Sequence, residues 1–218
     1  MKSIKIIILL IVLINLSYPQ ENSLKDIHQV PFLSSNNIIE LSIQNLSEKD
    51  LSQIKIELID APDWIKFKTV QESINELKQN SEQNITFQFS VGKEAVINQE
   101  QLLKFLISTS DNQIFYKEVN IIISPPVKFE LFQNYPNPFN SSSIIEFQIP
   151  HRSFITIKIY DILGREVATL MEELKEAGYY EVVVEAYQFS SGVYFYQLTA
   201  LDESGSRYID RKKMLLVK

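Results

Sequence analysis

The sequence predicts an all-β protein, two consecutive antiparallel sandwiches behind a short N-terminal leader, and three observations carry that prediction. Apolar residues recur with period 2 along almost the whole chain after the leader. Short polar turns interrupt this alternation at the spacing expected of sandwich strands rather than of helices. A proline-rich stretch, SPPVKFELFQNYPNPFN, divides the strands into two runs. At 218 residues and 45% hydrophobic, the chain is long enough to bury two small cores.

The leader is MKSIKIIILLIVLINLSYPQENS. Lys2 and Lys5 make a positive n-region, and Ile6 to Ile14 is an unbroken apolar run of signal h-region length, short for a membrane span. Residues 1–19 are therefore expected to be a signal peptide, with cleavage near Gln20 although no A-x-A site is present, and 20–35 a linker.

The first module is expected over 36–124. NIIELSIQN places Ile39, Leu41 and Ile43 on one face, QIKIELI does the same with Ile54, Ile56 and Leu58, and NITFQFSV with Ile85, Phe87 and Phe89. LLKFLIST and IFYKEVNIII continue the series. SINELKQ, with Ile74 and Leu77 three apart, is the one stretch that reads as a turn or two of helix. Trp64, in DAPDWIKF, is expected to close the core together with Phe67, since one aromatic is a poor carbohydrate platform. Paired strands and these turns resemble the immunoglobulin-like accessory domains found beside bacterial extracellular catalytic domains.

Prolines 125, 126, 136 and 138 fix their own φ, donate no N–H and push the preceding residue toward extended backbone, so 125–140 is expected to be a stiff extended elbow. Tyr135 and Phe139 are placed to anchor it. Beyond it, SIIEFQIP and FITIKIYD alternate cleanly, Gly164 in DILGREVATL supplies the positive φ of a tight hairpin, and Gly178 and Gly192 are expected to punctuate AGYYEVVVEA and SGVYFYQLTA in the same way. RYIDRKKMLLVK closes the domain, with Met214 and Leu216 facing inward. This makes roughly seven strands, the count of an immunoglobulin-like sandwich.

Composition narrows function. A net charge of -6 gives no basic stripe for nucleic acid. The absence of cysteine excludes disulfides, thiolate metal sites and a cysteine nucleophile. The 2 histidines, His28 and His151, have no evident partner, and no zinc-protease spacing, nucleophile elbow or phosphate loop can be drawn. DESGS reads as a β-turn rather than a calcium loop. No enzyme activity, cofactor or metal is expected.

NYPNPFN, IYDILGREVATL, AGYYEV, SGVYFYQL and KKMLLVK, in that order near the chain end, resemble the C-terminal sorting domain of the type IX secretion system over about 129–218. IYDILGREV and SGVYFY also resemble the immunoglobulin-like domain of flagellar hook assembly proteins. The sorting resemblance implies a cell-surface or secreted protein that passes through the periplasm. Its partners would be the type IX machinery, and a surface sortase and lipopolysaccharide if the domain is exchanged for an anchor. The recognition residues it suggests are Tyr135, Pro136, Asn137 and Pro138, Gly164, Gly192, Tyr194 and Tyr196, and Lys212, Lys213 and Lys218. Two alternatives share this resemblance: the tail of a larger surface hydrolase, disfavoured because the leader joins the first sandwich directly, and a carbohydrate- or protein-binding module.

Overall fold

A computed structural model of the chain describes residues 4–12 and 26–218. It divides into two compact units, Met1–Ser124 and Pro125–Lys218, each all-β. Among the described residues no helix is long and apolar enough to cross a membrane.

In the first unit, one sheet has the order β1 (Lys5–Val12), β3 (Asn37–Asn45), β7 (Glu82–Val91), β5 (Ile65–Phe67). The other has the order β2 (Ile27–Pro31), β9 (Ile114–Ser124), β8 (Glu100–Ser108), β4 (Leu51–Asp60), β6 (Gln71–Leu77). The alternation read from the sequence is the packing that results: Ile39, Leu41, Ile43, Phe87 and Phe105 are buried between the sheets. Lys5–Val12 of the expected leader form β1, parallel to β3, with Ile6 in this core. The expected cleavage site lies outside the described residues.

Two expectations in this unit are corrected. Part of the expected linker is strand β2, parallel to β9, because Val30 has a core site to fill. SINELKQ begins in strand β6 rather than in a helical turn. Ile74 and Leu77 are both buried despite their spacing of three, and so are Ile54 and Leu51 opposite them on β4. Between that pair Gln53 takes a left-handed φ of 52°, which breaks the two-residue alternation of β4 and brings both ends of the ribbon to the core.

The second unit packs a three-stranded sheet, β10 (Glu130–Leu131), β11 (Ser142–Ile149), β14 (Gly178–Glu185), with a four-stranded one, β13 (Glu166–Lys175), β12 (Ser153–Tyr160), β15 (Gly192–Asp202), β16 (Arg207–Leu216). Inward residues alternate strictly: Ile145, Phe147 and Ile149; Ile155, Ile157 and Ile159; Tyr196, Leu198 and Ala200; Met214 and Leu216. Gly164 has φ 76° in the β12–β13 turn, as its sequence context demands. Gly178 serves a different purpose from the one expected: its φ is not left-handed, and a Cβ there would stand 3.2 Å from the Tyr180 hydroxyl and 3.3 Å from its ring.

Candidate functional site

Strand register gathers most of the sequence motifs at one end of the second unit. Tyr160, at the end of β12 before the Gly164 turn, lies opposite Phe195, which lies opposite Lys213. On the same strands Gly192 faces Leu216 and Tyr196 faces Lys212. IYDILG, SGVYFY and KKMLL therefore meet across three neighbouring strands.

NYPNPFN joins them there, and in doing so departs from the extended elbow expected. Both the Tyr135–Pro136 and Asn137–Pro138 peptides are cis. The segment curls back on itself: Asn134 Nδ2 donates to the Pro136 carbonyl at 3.0 Å, and Ser143 Oγ donates to the same carbonyl at 2.8 Å. It then clips the last strand. The Leu215 amide donates to Asn137 Oδ1 at 2.9 Å, and Gln133 Nε2 donates to the Lys213 carbonyl at 2.8 Å. The Phe139 amide donates to the Leu215 carbonyl at 3.0 Å, and the Val217 amide donates back to the Phe139 carbonyl at 2.9 Å. Without these bonds the free edge of β16 would leave its backbone groups to water or to another chain. Phe139 anchors the clip by burying its ring; Tyr135 does not, its side chain being 80% exposed.

Tyr196 lies inside the domain and is the hub of the clip rather than a surface contact. Its hydroxyl donates to the Phe132 carbonyl at 2.7 Å and accepts from the Asn134 amide at 2.8 Å, so both backbone groups are satisfied where water is excluded. Burial pushes its phenol up to about 12, with the Asn134 amide opposing and Asp210 adding to the rise. Asn134, itself buried, also donates to Ser143 Oγ at 2.8 Å. Neither Asn134 nor Ser143 was picked out from sequence, although a lone polar residue at an inward position such as Ser143 is a signal of an internal hydrogen bond.

The remaining candidate residues are spread over different surfaces. Tyr194 is half-buried beside Phe189, its hydroxyl held by the Ser190 carbonyl at 2.9 Å. Lys212 and Lys213 are adjacent on a strand and so point to opposite faces; the Lys212 ammonium stands 3.8 Å from Asp210, while Lys213 is outward. The Lys218 amide is bonded to Ser191 Oγ at 3.0 Å. In the Gly164 turn, Asp161 accepts from the Leu163 and Arg165 amides and pairs with the Arg165 guanidinium at 2.7 Å. Burial raises its carboxyl, but those hydrogen bonds outweigh it and hold it below the usual range.

At the opposite end of the domain, an open cleft of about 320 Å³ is lined by His151, Arg152, Asp202, Glu203 and Ser204. His151 is not partnerless, as the sequence suggested. Its Nε2 is 3.9 Å from Asp202 and its ring meets Phe129 edge-on at 5.0 Å. Ser204 Oγ donates to Asp202 at 2.6 Å, so the hydroxyl is turned to the carboxylate of its own turn, and Arg152 is held between Glu176 and Glu203. These contacts tie two turns together. Among the described residues no group of three His, Asp or Glu has metal-binding geometry. In the first unit, Trp64 is half-buried against the core and Phe67 stacks on Phe89 at 5.3 Å.

Residues 133–209 match the family model of the secretion system C-terminal sorting domain. No curated protein matches the chain. Among solved structures, dimeric latent PorU from Porphyromonas gingivalis is similar at 13% identity and TM-score 0.35, over 91% of this chain and 19% of that one. CopC from Methylosinus trichosporium is similar at 14% identity and TM-score 0.31, over 40% of this chain and 92% of that one. The CupB2 chaperone of Pseudomonas aeruginosa is similar at 11% and 0.27, over 87% and 97%.

Proposed function

We propose that this chain, whose residues 133–209 are a type IX secretion C-terminal sorting domain, is a non-enzymatic exported protein. The sorting domain implies delivery to the cell surface or the extracellular space by the type IX machinery. In the finer reading, an N-terminal signal peptide first takes the chain into the periplasm, where both sandwiches fold, and the second is then read as the export signal. The first sandwich is the cargo, acting as a binding or spacing module outside the cell. A sortase that exchanges the sorting domain for lipopolysaccharide is one possible end of this route; release into the medium is the other.

The single observation that carries the reading is convergence: the motifs of the sorting resemblance lie far apart in sequence, yet NYPNPFN, the Gly164 turn, the start of β15 and the end of β16 come together at one end of the domain. Such a built surface suits recognition by one machine. The test is cell fractionation, with mass spectrometry of both termini, of the full chain and of a chain ending at Ser124. The full chain is expected on the surface or in the medium without its first residues, and the shortened chain in the periplasm. Equal export of both would overturn the proposal.

A further inference from the structure

One edge of β3 is covered by part of the expected leader. Lys5–Val12 runs parallel to β3 and pairs with it residue by residue from Ile38 to Asn45. Ile6 lies opposite Ile39, and both are buried in the core of the first unit. The Ile38 amide donates to the Ile4 carbonyl at 2.9 Å. Backbone amides alternate in direction along a strand, so those of Glu40, Ser42 and Gln44 face β1 as well, while the Asn45 amide bonds the Ser81 carbonyl on the other side. Among the described residues β3 has no other strand on this edge.

A polar anchor sits at the head of the same slot. Asn37 is fully buried; its Oδ1 accepts from the Ile4 amide at 3.3 Å, and its Nδ2 donates to Ser34 Oγ at 2.8 Å. Taking residues 4–12 away removes the donor to a buried oxygen, empties the Ile6 site and leaves the amides of Ile38, Glu40, Ser42 and Gln44 without their strand. A bare ladder beside an apolar pocket is what strand addition uses: the backbone bonds hold the incoming segment and the pocket selects its side chain. The Lys5–Glu40 pair adds to the leader's hold but does not define the slot, because Glu40 also accepts from Asn84 Nδ2 at 3.1 Å.

We infer that the first sandwich is an acceptor for strand addition: once the leader is removed, the β3 edge takes an extended segment of another protein. That segment runs parallel to β3, with an apolar residue at the Ile6 position and a free backbone amide at the Ile4 position. This rests on the export reading above, in which the leader is cleaved, and it gives the cargo sandwich a class of partner. The chain's own new N-terminal segment is a poor substitute, since residues 20–26 hold one apolar residue, Leu24. Two copies meeting edge to edge about a two-fold axis would pair antiparallel, against the direction seen in the slot.

The test uses the full mature chain, beginning at Gln20, and as probe a synthetic peptide of residues 4–12 with a polar solubilising tail. The same peptide with Ile6→Asp is the control. Saturable binding of the first peptide is expected, with amide exchange at Glu40, Ser42 and Gln44 slowed at least about tenfold and Leu198 in the second unit unchanged. The control is expected to bind at least about tenfold more weakly, because it brings a carboxylate to an apolar site. Should the mature chain fail to fold alone, refolding decides: rescue by the first peptide and not by the control is expected, and rescue by neither or by both alike would overturn the inference. No binding to a folded chain, or equal binding of both peptides, would overturn it as well. So would protection of these amides before any peptide is added, with residues 20–26 filling the slot, or a dimer of the mature chain, seen by sedimentation, that the peptide dissolves. A surface form of the chain that still carries residues 4–12 would instead overturn the export reading beneath it.

Discussion

Tyr196 is the residue on which the second unit turns. One hydroxyl satisfies two backbone groups of the segment leading into NYPNPFN. Tyr196→Phe keeps the ring and strands both groups, and it is expected to cost about 1–3 kcal/mol, read as a lower denaturant midpoint at unchanged slope. The pH dependence follows from the same burial. The phenol ionises near 10 when unfolded and near 12 in the fold, so its contribution is complete below pH 10 and is lost as pH rises through 12. Alkaline titration of stability is expected to show a loss on the order of 2 kcal/mol in that window that Tyr196→Phe removes; a parent and variant with the same alkaline slope would contradict this. The inward position of Tyr196 was legible in the sequence, because it shares its parity with Leu198 and Ala200. The outward position of Ile144 and Val183 was legible too: IIEF and VVVE each set apolar residues side by side, and in a strand one of two neighbours must face out. Which one does so depends on register, and register is set by the partner strand.

At the scale of elements, alternation was enough to find the long strands, and it failed where a strand changes face or is held by its neighbours. β6 was hidden because Gln53, on another strand, takes the left-handed conformation that aligns Ile74 and Leu77 with the core. β2 was hidden because only Val30 of its five residues is buried, too few to make a pattern. NYPNPFN was read as an elbow because proline chemistry is local, whereas its role depends on hydrogen bonds to a strand that lies about eighty residues later. That role gives a prediction. Asn137→Ala removes the acceptor of the Leu215 amide while leaving the core intact, so hydrogen exchange at Leu215 and Val217 is expected to accelerate at least tenfold, with less change at Leu198 on the neighbouring strand. Uniform acceleration across β15 and β16 would mean that the clip is not a local lock but part of the global fold.

For the molecule as a whole, the division at Ser124 and Pro125 separates two cores that share no buried residue, each with its own pair of sheets. A unit with its own core is able to fold alone, and the proposed function requires this of the second one, since a sorting signal has to work whatever cargo precedes it. Residues 125–218 fused behind a signal peptide and an unrelated periplasmic protein measure this directly in cells that carry the type IX system. The fusion is expected at the cell surface or in the medium, with its sorting domain folded when it leaves the periplasm. A fusion that is folded, stable and confined to the periplasm would contradict the claim that this sandwich is the export signal.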